Sequence, residues 1–385
     1  MTVAIDTRAK ELQALGQDIV ALGAGEPDFD TPSHIKEAAI ASLREGKTKY
    51  TAPTGIPELK KAVSDKLSRE NGVNIPSTQV VITSGVKHAV SNVLQTLLNP
   101  GDEVVIPAPY WVTYPELVKL YGGTPVFIET SVATGYKITP QALEAAITPR
   151  TKAMILCNPS NPTGMVYGKS ELEAFARILV KHDVYVISDE IYEHILYDGR
   201  KPISIASLGA EIAALTLIVN GVSKAYAMTG WRVGYFAGPA PIAKAIGALQ
   251  SQATHHPANV SQYAAVAALN GGLDFVHKMG EEFDRRRKFV VESLRAIPGV
   301  NAPMPEGAFY ALPEVSSFYG KQTPKGKAIA GSLDLCAYLL SDELLAVVPG
   351  AAFGDDRCIR LSYATSMDNL RKAMDRLRHG LLALS

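Results

Sequence analysis

Between about residue 79 and residue 238, short runs of β-branched and aliphatic residues alternate with segments of helical spacing. This rhythm restricts the chain to an α/β architecture, a mostly parallel sheet with crossover helices. The expected strands centre on Val80-Val81-Ile82, Val104-Val105-Ile106, Val126-Phe127-Ile128, Met154-Ile155-Leu156, Val184-Tyr185-Val186-Ile187, Leu217-Ile218-Val219 and Val233-Gly234-Tyr235-Phe236. In such a sheet functional residues gather at the carboxyl ends of strands, where loops meet helix N-termini. The conspicuous polar clusters sit there: Thr83-Ser84-Gly85, Asn158 to Gly164, Ser188-Asp189-Glu190, and Asn220 to Lys224.

The remainder of the chain reads differently. Ala9, Leu12 and Leu15 stand at helical spacing, so a short amphipathic helix over residues 8–15 is expected to lead into Ile19-Val20-Ala21-Leu22 and the Gly23-Ala24-Gly25-Glu26-Pro27 turn. Beyond about residue 285 comes a long charged helix, a few strands and a closing helix from Asp368 to Leu382. The expected organisation is an N-terminal arm (1–30) contributing to a small domain, a large domain (31–285), and a smaller α+β domain (286–385). The Gly-, Lys-, Ser- and Thr-rich stretch from Ser316 to Ser332 is expected to be an exposed loop.

Composition narrows the function. Lys plus Arg and Asp plus Glu both number 38, so no overall charge draws the chain to nucleic acid or a membrane, and small-molecule chemistry fits better. Cys157, Cys336 and Cys358 lie far apart with no C-x-x-C pair, which argues against a disulfide framework and a structural metal site. No apolar run is long enough to span a bilayer, and residues 1–17 lack the apolar core of a signal peptide. A cytoplasmic location is expected.

Two residues ask for a chemical reason. Lys224 ends a buried apolar run; it is either a lysine whose stem lies on the surface or an amine whose burial lowers its pKa and makes it a nucleophile and base. Asp189 closes a strongly apolar strand; it is either a helix N-cap or a carboxylate held for a cationic partner.

Taken together, Asn161-Pro162-Thr163-Gly164, Ser188-Asp189-Glu190-Ile191-Tyr192, Ser223-Lys224 through Gly230-Trp231-Arg232, and Arg360-Leu361-Ser362-Tyr363 resemble the fold-type-I aminotransferases, specifically the class I aspartate aminotransferase family. The resemblance covers essentially the whole chain. It implies pyridoxal 5′-phosphate (PLP) as cofactor, a large domain built on a seven-stranded sheet, and a homodimer. By the same resemblance Lys224 carries the cofactor, Asp189 faces its ring nitrogen, and Tyr192 and Asn161 share its phenolic oxygen. Arg232, Ser223 and the Ser84-Gly85-Val86 turn hold the phosphate. Trp111 stacks on the ring, with Tyr110 as the alternative if the register slips by one, and Tyr50 reaches the phosphate of the neighbouring subunit. Arg360 grips the substrate carboxylate with help from backbone at Gly25. Lys87 and Thr2 match the lysine and threonine that bind the distal carboxylate in the bacterial and plastid branch, where some members also act on prephenate.

Two departures stand out. Many relatives place a serine where this chain has Gly221, and the segment Gln250 to Pro257 has His255 and His256 in place of an arginine for the side-chain carboxylate. The expected activity is ping-pong amino transfer between aspartate or glutamate and a 2-oxo acid such as 2-oxoglutarate. An aromatic or broad-range aminotransferase and a carbon-sulfur lyase on the same fold stay open as alternatives. A regulator fused to a DNA-binding domain and a nicotinamide dehydrogenase fit worse: the chain has no basic helix-turn-helix region, and Gly23-Ala24-Gly25 lacks the third glycine of the dinucleotide fingerprint.

Overall fold

The computed structural model describes residues 2–385, with side chains from Thr7 onward. The expected runs all form strands of one seven-stranded sheet, in the spatial order 80–83, 234–237, 216–221, 185–189, 151–157, 103–107, 124–128. Strand Gly234–Ala237 alone runs antiparallel, between Val80–Thr83 and Thr216–Gly221; the other pairings are parallel.

Helices cover both faces, so the inner strands are buried throughout and alternate residues serve different cores. Val105, Met154, Leu156 and Val186 pack with Leu172, Phe175 and Leu179 of the helix Lys169–Lys181. Their neighbours Val104, Ile106, Ile155 and Ile187 belong to the opposite core, with Val90 and Leu94 of the helix Val86–Leu97. Each such side chain contributes about 1.5–3 kcal/mol by leaving water. The edge strand Thr124–Ile128 is the least covered, with Phe127 40% exposed.

The C-terminal part carries a three-stranded sheet of Val348–Pro349, Ile359–Ser362 and Tyr310–Ala311, flanked by the helices Ser332–Asp342 and Met367–Leu382. Ser366 caps the last helix, its Oγ accepting the Asn369 N–H at 3.2 Å. The N-terminal arm joins this part, because Val20–Ala21 pairs in parallel with Leu345–Ala346. One continuous helix, Asp274–Arg295, runs across residues 285–286, and its Arg286 pairs with Asp28 at 2.7 Å.

Two expectations need correction. The N-terminal helix spans Thr2–Ala14, starting earlier than residue 8. The segment 316–332 is not simply an exposed loop: Phe318 and Ile329 insert into the main core and Thr323 is buried. The two apolar residues are too few and too far apart to show as a pattern among the polar ones.

Candidate active site

The carboxyl ends of strands 151–157, 185–189 and 216–221 open into a cavity of about 690 Å³, closed on the other side by residues 21–26, Tyr310, Phe353 and Arg360. Among the described residues Lys87, Lys224, Arg232 and Arg360 line it together with Glu26 and Asp189. A cleft with this balance suits a ligand bearing several negative charges.

Lys224 follows strand 216–221, and its Nζ donates to the Gly25 carbonyl across the cleft. Burial pushes its amine down to about 8, partly offset by Glu26, while Arg232 and Arg360 push the same way as burial. The tip is therefore not led out to solvent, and a large share is a neutral, nucleophilic amine near pH 8.

Asp189 ends strand 185–189 and is 2% exposed. Burial pushes its carboxyl up to about 6, against the lowering effect of Tyr114, whose hydroxyl donates to Oδ2 at 2.7 Å. The Ile191 N–H donates to Oδ1 at 3.2 Å, a local cap of a turn, since no helix begins here. A buried carboxylate facing a cleft, with a neutral hydroxyl and one amide for partners, is suited to a cationic ring N–H. Glu190 belongs elsewhere: it accepts from Ser188 at 2.9 Å and Ser204 at 2.6 Å.

Tyr114 was not legible in the sequence, because only tertiary packing brings the helix Thr113–Leu120 over Asp189. Its removal is a clean probe. Tyr114→Phe is expected to lower kcat/KM about tenfold, since a hydrogen bond to a charged group contributes about 1.5–3 kcal/mol. It should also shift the acid limb of the pH profile upward, because Tyr114 contributes most of what holds the Asp189 carboxyl down. Steady-state rates across pH check both effects.

Arg360 lies in strand Ile359–Ser362 and is 7% exposed, with no carboxylate paired to it among the described residues. Its Nη1 donates to Asn161 Oδ1 at 3.1 Å and its Nη2 to the Gly23 carbonyl at 2.8 Å, while Nε is buried with no partner. The guanidinium stacks 4.5 Å from the Tyr310 ring centroid and 4.8 Å from that of Phe353. An unpaired buried fork calls for a carboxylate. Tyr192 and Tyr310 share a hydroxyl contact at 2.9 Å, and burial holds both hydroxyls protonated. Tyr310 also escaped sequence reading, because its short strand in the C-terminal part carries no local signal. Asn158 is structural, clasping Tyr167 through its N–H at 2.9 Å and its carbonyl at 3.3 Å, which leaves Asn161 as the amide in the cleft.

In the turn before the helix Val86–Leu97, two of the backbone donors already have partners. The Ser84 N–H donates to His88 Nδ1 at 3.1 Å and the Gly85 N–H to the Thr83 carbonyl at 2.8 Å. The free backbone donors are thus those of Val86 and Lys87, in the first helical turn. Gly85 has φ +86°, and a Cβ there would overlap the Arg232 guanidinium, so glycine is what lets the arginine lie over the turn. Arg232 is exposed and, among the described residues, donates to the Thr229 carbonyl at 2.9 Å and the Ser84 carbonyl at 3.4 Å. Gly221 has a steric reason too: a side chain would meet the Val233 carbonyl at 2.8 Å and Gly234 Cα at 2.9 Å. Ser223 lines the cleft beside Lys224.

Trp111 lines the cleft with Lys87 Nζ 5.2 Å from its ring, whereas Tyr110 stacks on Phe127 at 4.9 Å away from it. Tyr50 lies outside this chain's own cleft, 90% exposed, against His255 at 5.4 Å and His256 at 5.9 Å. The two histidines thus support the Tyr50 loop, His256 Nε2 accepting the Thr51 N–H at 3.1 Å, and do not line the cleft. The side chain of Thr2 lies outside the described residues.

A mostly parallel seven-stranded sheet whose strand ends present a lysine, a buried aspartate and a helix-capped arginine site is the architecture of the fold-type-I PLP-dependent transferases. The model of the family "Aminotransferase class I and II" matches residues 17–377, and the chain belongs to that family. It is 48% identical over its whole length to an aspartate/prephenate aminotransferase of Cereibacter sphaeroides, covering 96% of that protein. Its structure is similar to the crystal structure of an aspartate aminotransferase from Rhizobium meliloti (TM-score 0.96, 46% identity, 100% of this chain and 96% of the other). An aspartate aminotransferase of Thermus thermophilus solved with maleate is also similar (TM-score 0.92, 45% identity, 98% and 96% covered). The protein is an aminotransferase and its cofactor is PLP. Among the described residues, no helix is long and apolar enough to cross a membrane.

Proposed function

We propose that this aminotransferase moves amino groups between aspartate or glutamate and 2-oxo acids such as 2-oxoglutarate, by alternating half-reactions in one cleft. The observation that carries the reading is the convergence of the Lys224 amine, the buried Asp189 carboxylate and the unpaired Arg360 guanidinium on one cavity. Bound there, PLP supplies an aldehyde for the amino group and a ring that withdraws electrons from the substrate Cα.

The chain's residues then have distinct tasks. Lys224 carries the cofactor and, once displaced, takes and returns the Cα proton. Asp189 keeps a proton on the ring nitrogen, with Tyr114 fixing the carboxylate. Tyr192 and Asn161 donate to the phenolic oxygen, Trp111 covers the ring, and Arg232, Ser223 and the Val86 and Lys87 amides take the phosphate. Arg360 receives the substrate α-carboxylate, with the Gly25 backbone beside it. Prephenate is a further amino acceptor under this reading, as in the Cereibacter sphaeroides relative. The same proposal includes the division at 1–30, 31–285 and 286–385, a cytoplasmic location, and a homodimer in which the exposed Tyr50 completes the neighbouring site.

For the distal carboxylate of aspartate the candidate cation is Lys87, which lines the cleft beside Trp111 and begins a helix whose dipole opposes positive charge. The maleate of the Thermus thermophilus structure is a dicarboxylate of the same length as aspartate's carbon chain, which favours this reading over a purely aromatic preference. Lys87→Ala is expected to lower kcat/KM for aspartate and 2-oxoglutarate about tenfold or more, and that for an aromatic amino acid by less than about twofold. Equal losses on both substrate classes would reject Lys87 as the specificity cation. Cofactor recovered in its amine form after one half-reaction separates amino transfer from carbon-sulfur cleavage.

A further inference from the structure

We infer that His88 is a positioning residue that latches the phosphate-binding turn: its Nδ1 accepts the Ser84 N–H, and protonation of the ring releases that turn and loosens the cofactor. This rests on the reading of the Ser84–Lys87 turn as the phosphate site.

The geometry comes from three contacts. His88 sits one turn beyond Ser84, on the helix Val86–Leu97, and accepts the Ser84 N–H at 3.1 Å. Its other nitrogen, Nε2, lies 3.4 Å from Thr254 Oγ1. The Ser84 carbonyl on the far side of the same residue receives Arg232 Nη2 at 3.4 Å. Ser84 is thus held by its N–H to His88 and by its carbonyl to the guanidinium assigned to the phosphate. The next two amides, those of Val86 and Lys87, are the free donors of the turn.

An imidazole accepts at Nδ1 only while that nitrogen carries no proton. Protonation turns it into a donor facing the Ser84 N–H, so the bond is replaced by a repulsion and the turn loses its anchor. In the folded protein burial lowers the His88 pKa below its usual value. The charged or titratable groups on the elements packed around it are Lys87 on its own helix, Tyr114, Glu116, Lys119 and Tyr121 on and after the helix Thr113–Leu120, Lys244 and His255 on and after the helix Ala240–Ala253, and Arg232; the strands Thr216–Gly221 and Gly234–Ala237 present the Tyr235 phenol. Burial is the only cause of the His88 shift, and the helix N-terminus also disfavours a cation at this position. With the folded pKa depressed, the neutral latch is intact above about pH 6.5 and is lost as pH falls through the lower folded value.

The test measures how fast the holoenzyme loses its cofactor on dilution into cofactor-free buffer, followed by visible absorbance from pH 8 down to pH 5.5. His88→Asn keeps an acceptor at the position of Nδ1 but cannot titrate, and His88→Leu removes the acceptor. The cofactor phosphate titrates in the same range and affects all three proteins alike, so the comparison isolates the histidine. At pH 8 the Asn variant is expected to match the wild type, with the Leu variant losing cofactor about five- to tenfold faster. As pH falls toward 5.5 the wild type is expected to lose cofactor increasingly faster than the Asn variant. The same acid dependence in the wild type and the Asn variant overturns the latch. So does slower loss from the wild type at acid pH, which would make the imidazolium a phosphate cation. Wild-type protein with no visible chromophore after loading with PLP would instead overturn the cofactor site on which the latch rests.

Discussion

Lys224→Ala is expected to lower steady-state amino transfer by about ten-thousandfold or more, because under the proposed assignment one substitution removes both the amine that carries the cofactor and the base that moves the Cα proton. Among the described residues the cleft offers no substitute: the other amines lining it, Lys10 and Lys87, approach from the first helix and from the helix Val86–Leu97, whereas Lys224 reaches across to the Gly25 carbonyl from the strand end beside Asp189. The fold should survive, since the lysine is half-buried at the cleft wall and its single hydrogen bond goes to one carbonyl. The pH dependence carries its own sign. With the amine pushed down to about 8, capture of PLP by the cofactor-free wild type is expected to rise between about pH 7 and pH 8 and level off beyond, well below the usual lysine range. A rise that continues to pH 10 would mean that burial does not tune this amine.

Asp189→Asn is expected to leave the cofactor bound but slow Cα deprotonation by about a thousandfold, since an amide cannot hold a proton on the ring nitrogen as a carboxylate does. Its stability should move the other way. Burial raises this carboxyl to about 6 from an ordinary carboxylate value, so the cofactor-free fold binds a proton that the unfolded chain does not, and stability falls as pH rises through that window. At pH 7.5 the ionised side chain lowers stability of the cofactor-free protein by on the order of 3 kcal/mol, some of which the neutral amide recovers. The cofactor-free variant should therefore melt at or above the wild-type temperature while losing activity. Single-turnover rates and thermal melts on the same preparations check both halves; a lower melting temperature with unchanged single-turnover rate would make Asp189 a structural residue.

Much of the fold and the cleft is legible in the amino-acid sequence alone. The strands announce themselves because inner strands of a parallel sheet are apolar on both faces, and the polar residues that interrupt such runs, Asp189 and Lys224 above all, had to be there for a reason. Arg360 could be placed by its motif, and its unpaired Nε gives that placement a physical basis. What escaped were pairings between distant segments. Tyr114 on Asp189 and Tyr310 on Tyr192 join residues separated by 75 and 118 positions, and no local period encodes such contacts. In the turn proposed to take the phosphate the glycine signal at Gly85 was visible, but that His88 takes the Ser84 N–H, leaving Val86 and Lys87 as donors, depends on a side-chain rotamer. The role of His255 and His256 was not legible either, and the fold turns them toward Tyr50.

Every role assigned in the cleft depends on which amine carries the cofactor. Treating the PLP-loaded protein with borohydride, digesting it and mapping the pyridoxyl phosphate mass onto peptides reads that out residue by residue. One stoichiometric label is expected, on Lys224, and it should be lost in Lys224→Ala; a label on another lysine, or a loaded protein that takes none, would contradict the assignment.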